Sequence, residues 1–403
     1  MSTFSFKKII SQFVLILLSF VTVISLYGYE SYRPTRSMRI LFVVGSFPVL
    51  SETFIINQIT KLIDRGHEIF IYSFRKGNFK KIHQDVKKYH LLERTFYGKF
   101  PAYARPFDII YCQFGTQGIK LLRAKKRYKI NAKLVTCFRG SDISSYLKRR
   151  PRAYHALFDG GGDLFLPVCK FFKQKLIKQK CDPHKIIVHH SAIDCDKFAY
   201  KKRSLKAGEQ IRILTVGRLV EKKGIKYAIR AIAKLVKKYP HIHYTIVGDG
   251  PLKEELALLI QKRKLEDYVT LYGSATHDEI VSILNEAHLF VLPSTDASDG
   301  NQEGIPNVLK EAMACGIPVV STFHAAIPEL VENNVSGLLV LQRNSGVLAQ
   351  KIEYLIMHPE KWESMGQAGR KKIEQEFEIN KIVDKLEKLF RNLLKKNRKK
   401  FVI

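Results

Sequence analysis

Two carboxylates, Glu303 and Glu311, stand eight positions apart in the run Asp-Gly-Asn-Gln-Glu-Gly-Ile-Pro-Asn-Val-Leu-Lys-Glu-Ala-Met-Ala-Cys-Gly at residues 299–316. They straddle a Gly-X-Pro helix entry. The apolar run at 289–293 reads as a buried strand, which puts Glu303 in a strand-to-helix loop and Glu311 about two turns into the helix. Pro306 fits the first helical turn, where a missing N–H costs nothing. The backbone N–H groups around Gly304, Ile305 and Asn307 would then point outward as an anion site, with Glu303 beside it to accept hydrogen bonds from sugar hydroxyls. Either Glu alone reads as a surface carboxylate on an amphipathic helix. Spacing, Gly and Pro together favour a ligand.

A second cluster is Val-Gly-Arg-Leu-Val-Glu-Lys-Lys-Gly at 216–224, which leaves a strand and enters a helix. It places Arg218 and Lys223 as two fixed cations able to face a diphosphate, where they would offset charge developing on a departing phosphate. Lys222 is expected to face elsewhere, and a solvated lysine pair is the ordinary alternative. Gly248 lies in Val-Gly-Asp-Gly-Pro at 247–251, another strand-to-helix turn, although such a turn needs no ligand. Gly45, in Gly-Ser-Phe-Pro after the first strand, would let backbone approach a phosphate or sugar closely. Ser51 just beyond is a credible N-cap.

These residues need an alternating α/β scaffold, and the sequence offers one. Strand-like runs at 39–44, 68–74, 108–114, 133–138, 164–168 and 185–189 alternate with helical runs such as 52–65 and 171–179. A polar stretch at 200–210 reads as a linker. Strands at 211–216, 243–247, 269–272, 289–292 and 318–321 then alternate with helices at 225–238, 252–264, 278–287 and 306–314. Two doubly wound halves sharing a cleft follow, with ligands at the carboxyl ends of the strands. The divisions are residues 1–37, 38–205, 206–380 and a basic helix with tail at 381–403. The stripe Ile382, Val383, Leu386, Leu389, Phe390 has helical spacing and reads either as packing on the domains or as a basic membrane-surface helix.

Net charge is +31, unevenly spread: residues 1–200 hold 35 Lys/Arg against 13 Asp/Glu, whereas 201–403 hold 33 against 24. The basic surface therefore belongs to the first half and the tail. Without a zinc-finger, RNP-like or helix-turn-helix signature, an anionic membrane surface is favoured over nucleic acid as partner. Six cysteines without a C-x-x-C pair fit buried free thiols in a reducing compartment. The His189-His190 pair has no metal-ligand spacing, and no structural metal is expected. Residues 9–29 carry no charge and match a bilayer core in length, so residues 1–37 read as a single signal anchor or as an extension from an upstream start before Met38.

The run at 299–316 resembles the E-x7-E signature of the family-four retaining glycosyltransferases. The resemblance assigns Glu303 to the donor sugar and Glu311 to the ribose. Gly-Arg-Leu-x-x-x-Lys-Gly at 217–224 is similar to the family's donor-phosphate motif, and 248–251 to its Gly-x-Gly-Pro segment near the nucleotide. Gly45 to Ile55 resembles the branch that builds bacterial exopolysaccharide or lipopolysaccharide, colanic-acid-type transferases included. Phe-Arg-Gly-Ser-Asp at 138–142 stands where relatives carry His-Gly-x-Asp, so Arg139 replaces a His near the reacting sugar; Arg cannot serve as a base at neutral pH but can bind phosphate or a hydroxyl. Gln113 likewise stands where a His is frequent.

The resemblance implies a GT-B fold, two Rossmann-like domains facing a cleft. It implies a retaining, metal-independent transfer without cofactor from a nucleotide sugar to a lipid-linked or saccharide acceptor, at the cytoplasmic face of the inner membrane, peripheral or held by one N-terminal anchor. A sugar-nucleotide epimerase of the same fold is one alternative. A non-catalytic basic protein binding membrane or nucleic acid is another.

Overall fold

The computed structural model describes residues 37–49, 52–79, 82–98, 100 and 106–398. Ser51, the apolar segment 9–29 and the bases at 399–400 lie outside the described residues. In chain order the first half carries β1 (Arg39–Phe47), α1 (Thr53–Asp64), β2 (Glu68–Lys76), β3 (Thr95–Tyr97), β4 (Ile109–Cys112), α2 (Gly115–Arg127), β5 (Lys133–Phe138), α3 (Ser145–Arg149), β6 (Leu164–Pro167) and α4 (Lys170–Lys178). The second carries β7 (Ile211–Val216), α5 (Ile225–Leu235), β8 (Ile242–Val247), β9 (Val269–Gly273), β10 (Leu289–Leu292), α6 (Asn307–Ala314), β11 (Val319–Thr322), β12 (Leu338–Val340), α7 (Lys361–Glu376) and α8 (Ile379–Arg398).

The strands form two six-stranded parallel sheets, ordered β3-β2-β1-β4-β5-β6 and β12-β11-β10-β7-β8-β9. Central strands such as β4 and β10 are buried along their whole length, which explains their continuous apolar runs: helices cover both faces of a parallel sheet. In α1 the buried set Ile55, Ile56, Ile59 and Leu62 recurs at the three- and four-residue spacing of one helical face. The architecture is GT-B, as the sequence resemblance implied.

Three expectations need correction. The run at 185–189 is not a strand: Pro183–Lys185 forms a 3-10 turn and Ile186 makes a single bridge to Phe165. Gly45 is not in a loop, because β1 continues to Phe47 and pairs there with the end of β2. The stretch at 200–210 is no free tether. Arg203 is buried and donates to the carbonyls of Asn285 and Cys315, fastening the connection to the second half.

The C-terminal helix resolves the ambiguity in its stripe. Ile382, Val383, Leu386 and Phe390 are buried, and the Phe390 ring meets Tyr111 of β4 edge-on at 5.4 Å. Arg65 after α1 pairs with Asp384 at 2.7 Å. The chain's last helix therefore crosses back onto the first half. Among the described residues no helix is long and apolar enough to span a membrane.

Candidate active site

The site is assembled at the carboxyl ends of β7 and β10. After β7, residues Glu221–Lys223 make a 3-10 turn that ends at Gly224 in the left-handed conformation, φ 66°. A Cβ at Gly224 would lie 1.9 Å from the carbonyl oxygen of Pro293, so only glycine lets this turn lie against the end of β10. The Thr295 N–H donates to the Lys222 carbonyl at 2.9 Å, locking the turn to the loop that bears Glu303.

That locking overturns the expectation for Lys222. Both lysines reach Glu303: Lys223 Nζ lies 2.9 Å from Oε1 and Lys222 Nζ 3.4 Å from Oε2, with all three side chains nearly buried. Burial alone would raise the Glu303 carboxyl; the two ammonium groups outweigh it and hold the value at about 2. Oε1 nonetheless has no well-aligned donor despite its close ion pair, which leaves it an acceptor for a ligand hydroxyl. Arg218 is exposed beside this pair, and its side chain forms no ion pair among the described residues.

The Glu303 loop is pinned from behind. Its backbone N–H donates to His324 Nε2 at 3.1 Å, which leaves the ring proton on Nδ1, 3.6 Å from Asp296. Asp296 also accepts from Gln302 Nε2. Among the described residues the N–H groups of Gly304, Ile305 and Asn307 have no hydrogen-bond acceptor. At Gly304 a Cβ would come within 3.1 Å of Val168 and Phe172, so the Glu303 loop abuts the first half directly. Pro306 caps α6 from just outside it, and Glu311 sits one turn into the helix, nearer its start than the sequence suggested.

Glu311 is buried, and its carboxylate makes no hydrogen bond among the described residues. Burial raises it to about 7, opposed by the charges of Lys310, Lys223 and Lys197. Its neighbour Lys310 is also buried and is shifted the other way, down to about 7, while its ammonium group donates to the Ser191 carbonyl across the cleft. A buried carboxylate with unspent acceptors, at the end of a row of cations, suits a pair of vicinal hydroxyls.

Elsewhere the structure separates packing from chemistry. At Gly248, φ 142°, a Cβ would lie 2.0 Å from the Gly217 carbonyl oxygen, so close backbone packing is reason enough for glycine. Arg139 is spent inside the first half. It donates to Gln113 Oε1 at 2.7 Å, to the Gln113 carbonyl and to Ser191 Oγ, and its guanidinium stacks 4.4 Å over Phe54. The two positions that depart from the family's histidines thus bond to each other. Gly45 lines a first-half cavity together with Glu52, whose carboxyl burial raises to about 6 against the pull of Arg139.

Comparison with known proteins fits this geometry. Residues 51–197 match the model of Glycosyltransferase Family 4, and residues 196–372 that of Glycosyl transferases group 1. The putative colanic acid biosynthesis glycosyltransferase WcaL of Salmonella typhimurium is 33% identical over 409 residues, covering 88% of this chain and all of the relative. The chain is a group 1 glycosyltransferase. The amylovoran biosynthesis glycosyltransferase AmsK of Erwinia amylovora is 34% identical, covering 84% of this transferase and 96% of the relative. Among solved structures, Anabaena HepE in complex with UDP and glucose superposes with TM-score 0.72 at 20% identity, over 88% of this chain and all of that one. A glycosyltransferase from Rickettsia africae gives 0.71 at 22%, over 89% and 99%.

His324, Asp296 and Lys310 carry no sequence signal as site residues. Lys222 was visible but misassigned. His324 and Asp296 meet only through folding, across a loop and a strand.

Proposed function

We propose that this transferase moves a sugar from a nucleotide-sugar donor, with retention at the anomeric carbon and without a metal, onto a lipid-linked or saccharide acceptor in cell-surface polysaccharide assembly. The carrying observation is the cage of Lys222, Lys223 and Glu303, with Arg218 beside it and Glu311 beyond, neither of which forms an ion pair among the described residues. In this reading Arg218 and Lys223 neutralise the departing diphosphate, the role a divalent cation would otherwise fill. Glu311 accepts the ribose hydroxyls, and Glu303 accepts a hydroxyl of the donor sugar. The bond from the anomeric carbon to the phosphate oxygen breaks as the acceptor oxygen bonds on the same face, and the acceptor's proton passes to the departing phosphate.

The relatives named for colanic acid and amylovoran biosynthesis support the polysaccharide setting, and the HepE complex with UDP supports a uridine donor as the first to test. The charge excess of residues 1–200 and the uncharged segment 9–29 support a place at the cytoplasmic face of the inner membrane, against anionic lipid. The test is proton NMR of product formed from a sugar nucleotide of known anomeric configuration in chelator-treated buffer. Product of the same configuration at undiminished rate is expected; inversion, or activity restored only by added divalent cation, sinks the proposal.

A further inference from the structure

The first half carries a groove that the donor chemistry does not use. Two adjoining cavities, of about 300 and 570 Å³, share Thr116, Tyr146 and Arg149 in their walls. The outer one is walled by Lys120, Arg123, Arg149 and Arg150, and its lining contains no carboxylate. Arg75 projects into the inner one from the end of β2. All five cations are exposed, and none forms an ion pair among the described residues. On the same helix the opposite face behaves differently: Lys125 shares Asp163 with Lys133, at 3.4 and 2.9 Å. Thr116, Lys120 and Arg123 follow the i, i+4, i+7 row of α2, so the basic row extends about 10 Å outward from the inner cavity.

The groove leads to the chemistry. Its inner wall includes Ser141 and Asp142, and Asp142 is already spent on the N–H groups of Gly115, Arg139 and Gly140. The same loop touches the donor loop, with the Gln302 N–H donating to Ser144 Oγ at 3.3 Å. Glu52 is the remaining inner carboxylate, and it lies beside Arg139, whose carbonyl faces Gly304. Five unpaired cations crowded together repel one another, and an anion relieves that cost.

Resting on the transferase reading, we infer that this groove holds the acceptor, which is anionic: a phosphate or carboxylate group on it lies along Lys120, Arg123, Arg149 and Arg150, while its reacting hydroxyl lies at the inner end near Glu52. The two sources of such a group are a lipid diphosphate and an acidic saccharide.

The experiment uses the full chain saturated with UDP, titrated with farnesyl diphosphate in one arm and with oligogalacturonate in the other, for wild type and for Arg123→Ala/Arg150→Ala. Both arginines are exposed, and the Arg150 side chain makes no hydrogen bond or ion pair among the described residues, standing over the Tyr146 ring at 5.9 Å, so the variant should fold, with unchanged UDP binding as the check. The expected result is that one probe binds and the variant weakens it by about tenfold or more. Which probe binds identifies the source. Failure of both probes, equal binding by the variant, or loss in the variant only of binding to phosphatidylglycerol vesicles would overturn the inference, the last reassigning the surface to the membrane. Absence of UDP binding alongside arginine-dependent probe binding would retire the donor reading and leave the groove standing.

Discussion

Replacing Glu303 with Gln separates its two roles. In the ligand-free cleft the carboxylate is the counter-ion of Lys222 and Lys223, at 3.4 and 2.9 Å. A carboxylate moved from 4.5 to about 2 has its charged form favoured by about 3 kcal/mol after burial is offset, and by reciprocity the lysines lose that coupling in the variant. An incoming diphosphate then meets two cations already released. UDP affinity in Glu303→Gln should therefore rise, by up to about tenfold, measured by titration calorimetry at neutral pH. Transfer, followed by nucleotide release with acceptor present, should fall by about a hundredfold or more, because the sugar loses its charged acceptor in the transition state. Weaker UDP binding with transfer intact would refute the reasoning and make Glu303 a structural tether for the lysine turn.

Glu311→Gln should stabilise the ligand-free protein. The group's folded value of about 7 lies above the unfolded 4.5, so the folded state binds more protons between these limits and wild-type stability falls as pH rises through them; the variant removes that loss, raising stability at pH 8 by about 2 kcal/mol in urea denaturation with little change at pH 4. Phe390→Ala empties a fully buried site against Tyr111 and should cost about 3–5 kcal/mol by the same method, whereas a surface helix would lose almost nothing.

The sequence made the scaffold readable where burial writes long apolar runs. Strands such as β7 and β10, buried on both faces, stand out from their neighbours and were placed to the residue. β12 and α7 were missed because β12 is three residues long and α7 carries mostly polar positions around its buried Trp362 and glycines. Local motifs located Glu303, Glu311 and the Lys222-Lys223 turn, since each lies at a strand-to-helix junction with its own Gly or Pro. What no motif conveys is how side chains converge. That Lys222 joins Lys223 at Glu303 depends on a hydrogen bond from Thr295, far along the chain, to the turn's backbone. The pairing of Gln113 with Arg139 likewise joins the ends of two neighbouring strands, so the two departures from the family's pattern bond to each other. The basic groove was visible only as an excess of charge, because its cations come from β2, α2, α3 and the residue that follows α3.

The central claim is that Glu311 and the lysine turn form a nucleotide-sugar site. Its most direct test is a thermal-shift series of the full chain with UDP-, GDP- and ADP-sugars, alongside Glu311→Ala. A ligand at about a hundred times its dissociation constant adds about 2.7 kcal/mol of stability, well within reach of the method. A shift with one nucleotide class that Glu311→Ala abolishes is the predicted result. A shift that survives the substitution, or none with any donor in a folded sample, would contradict the account.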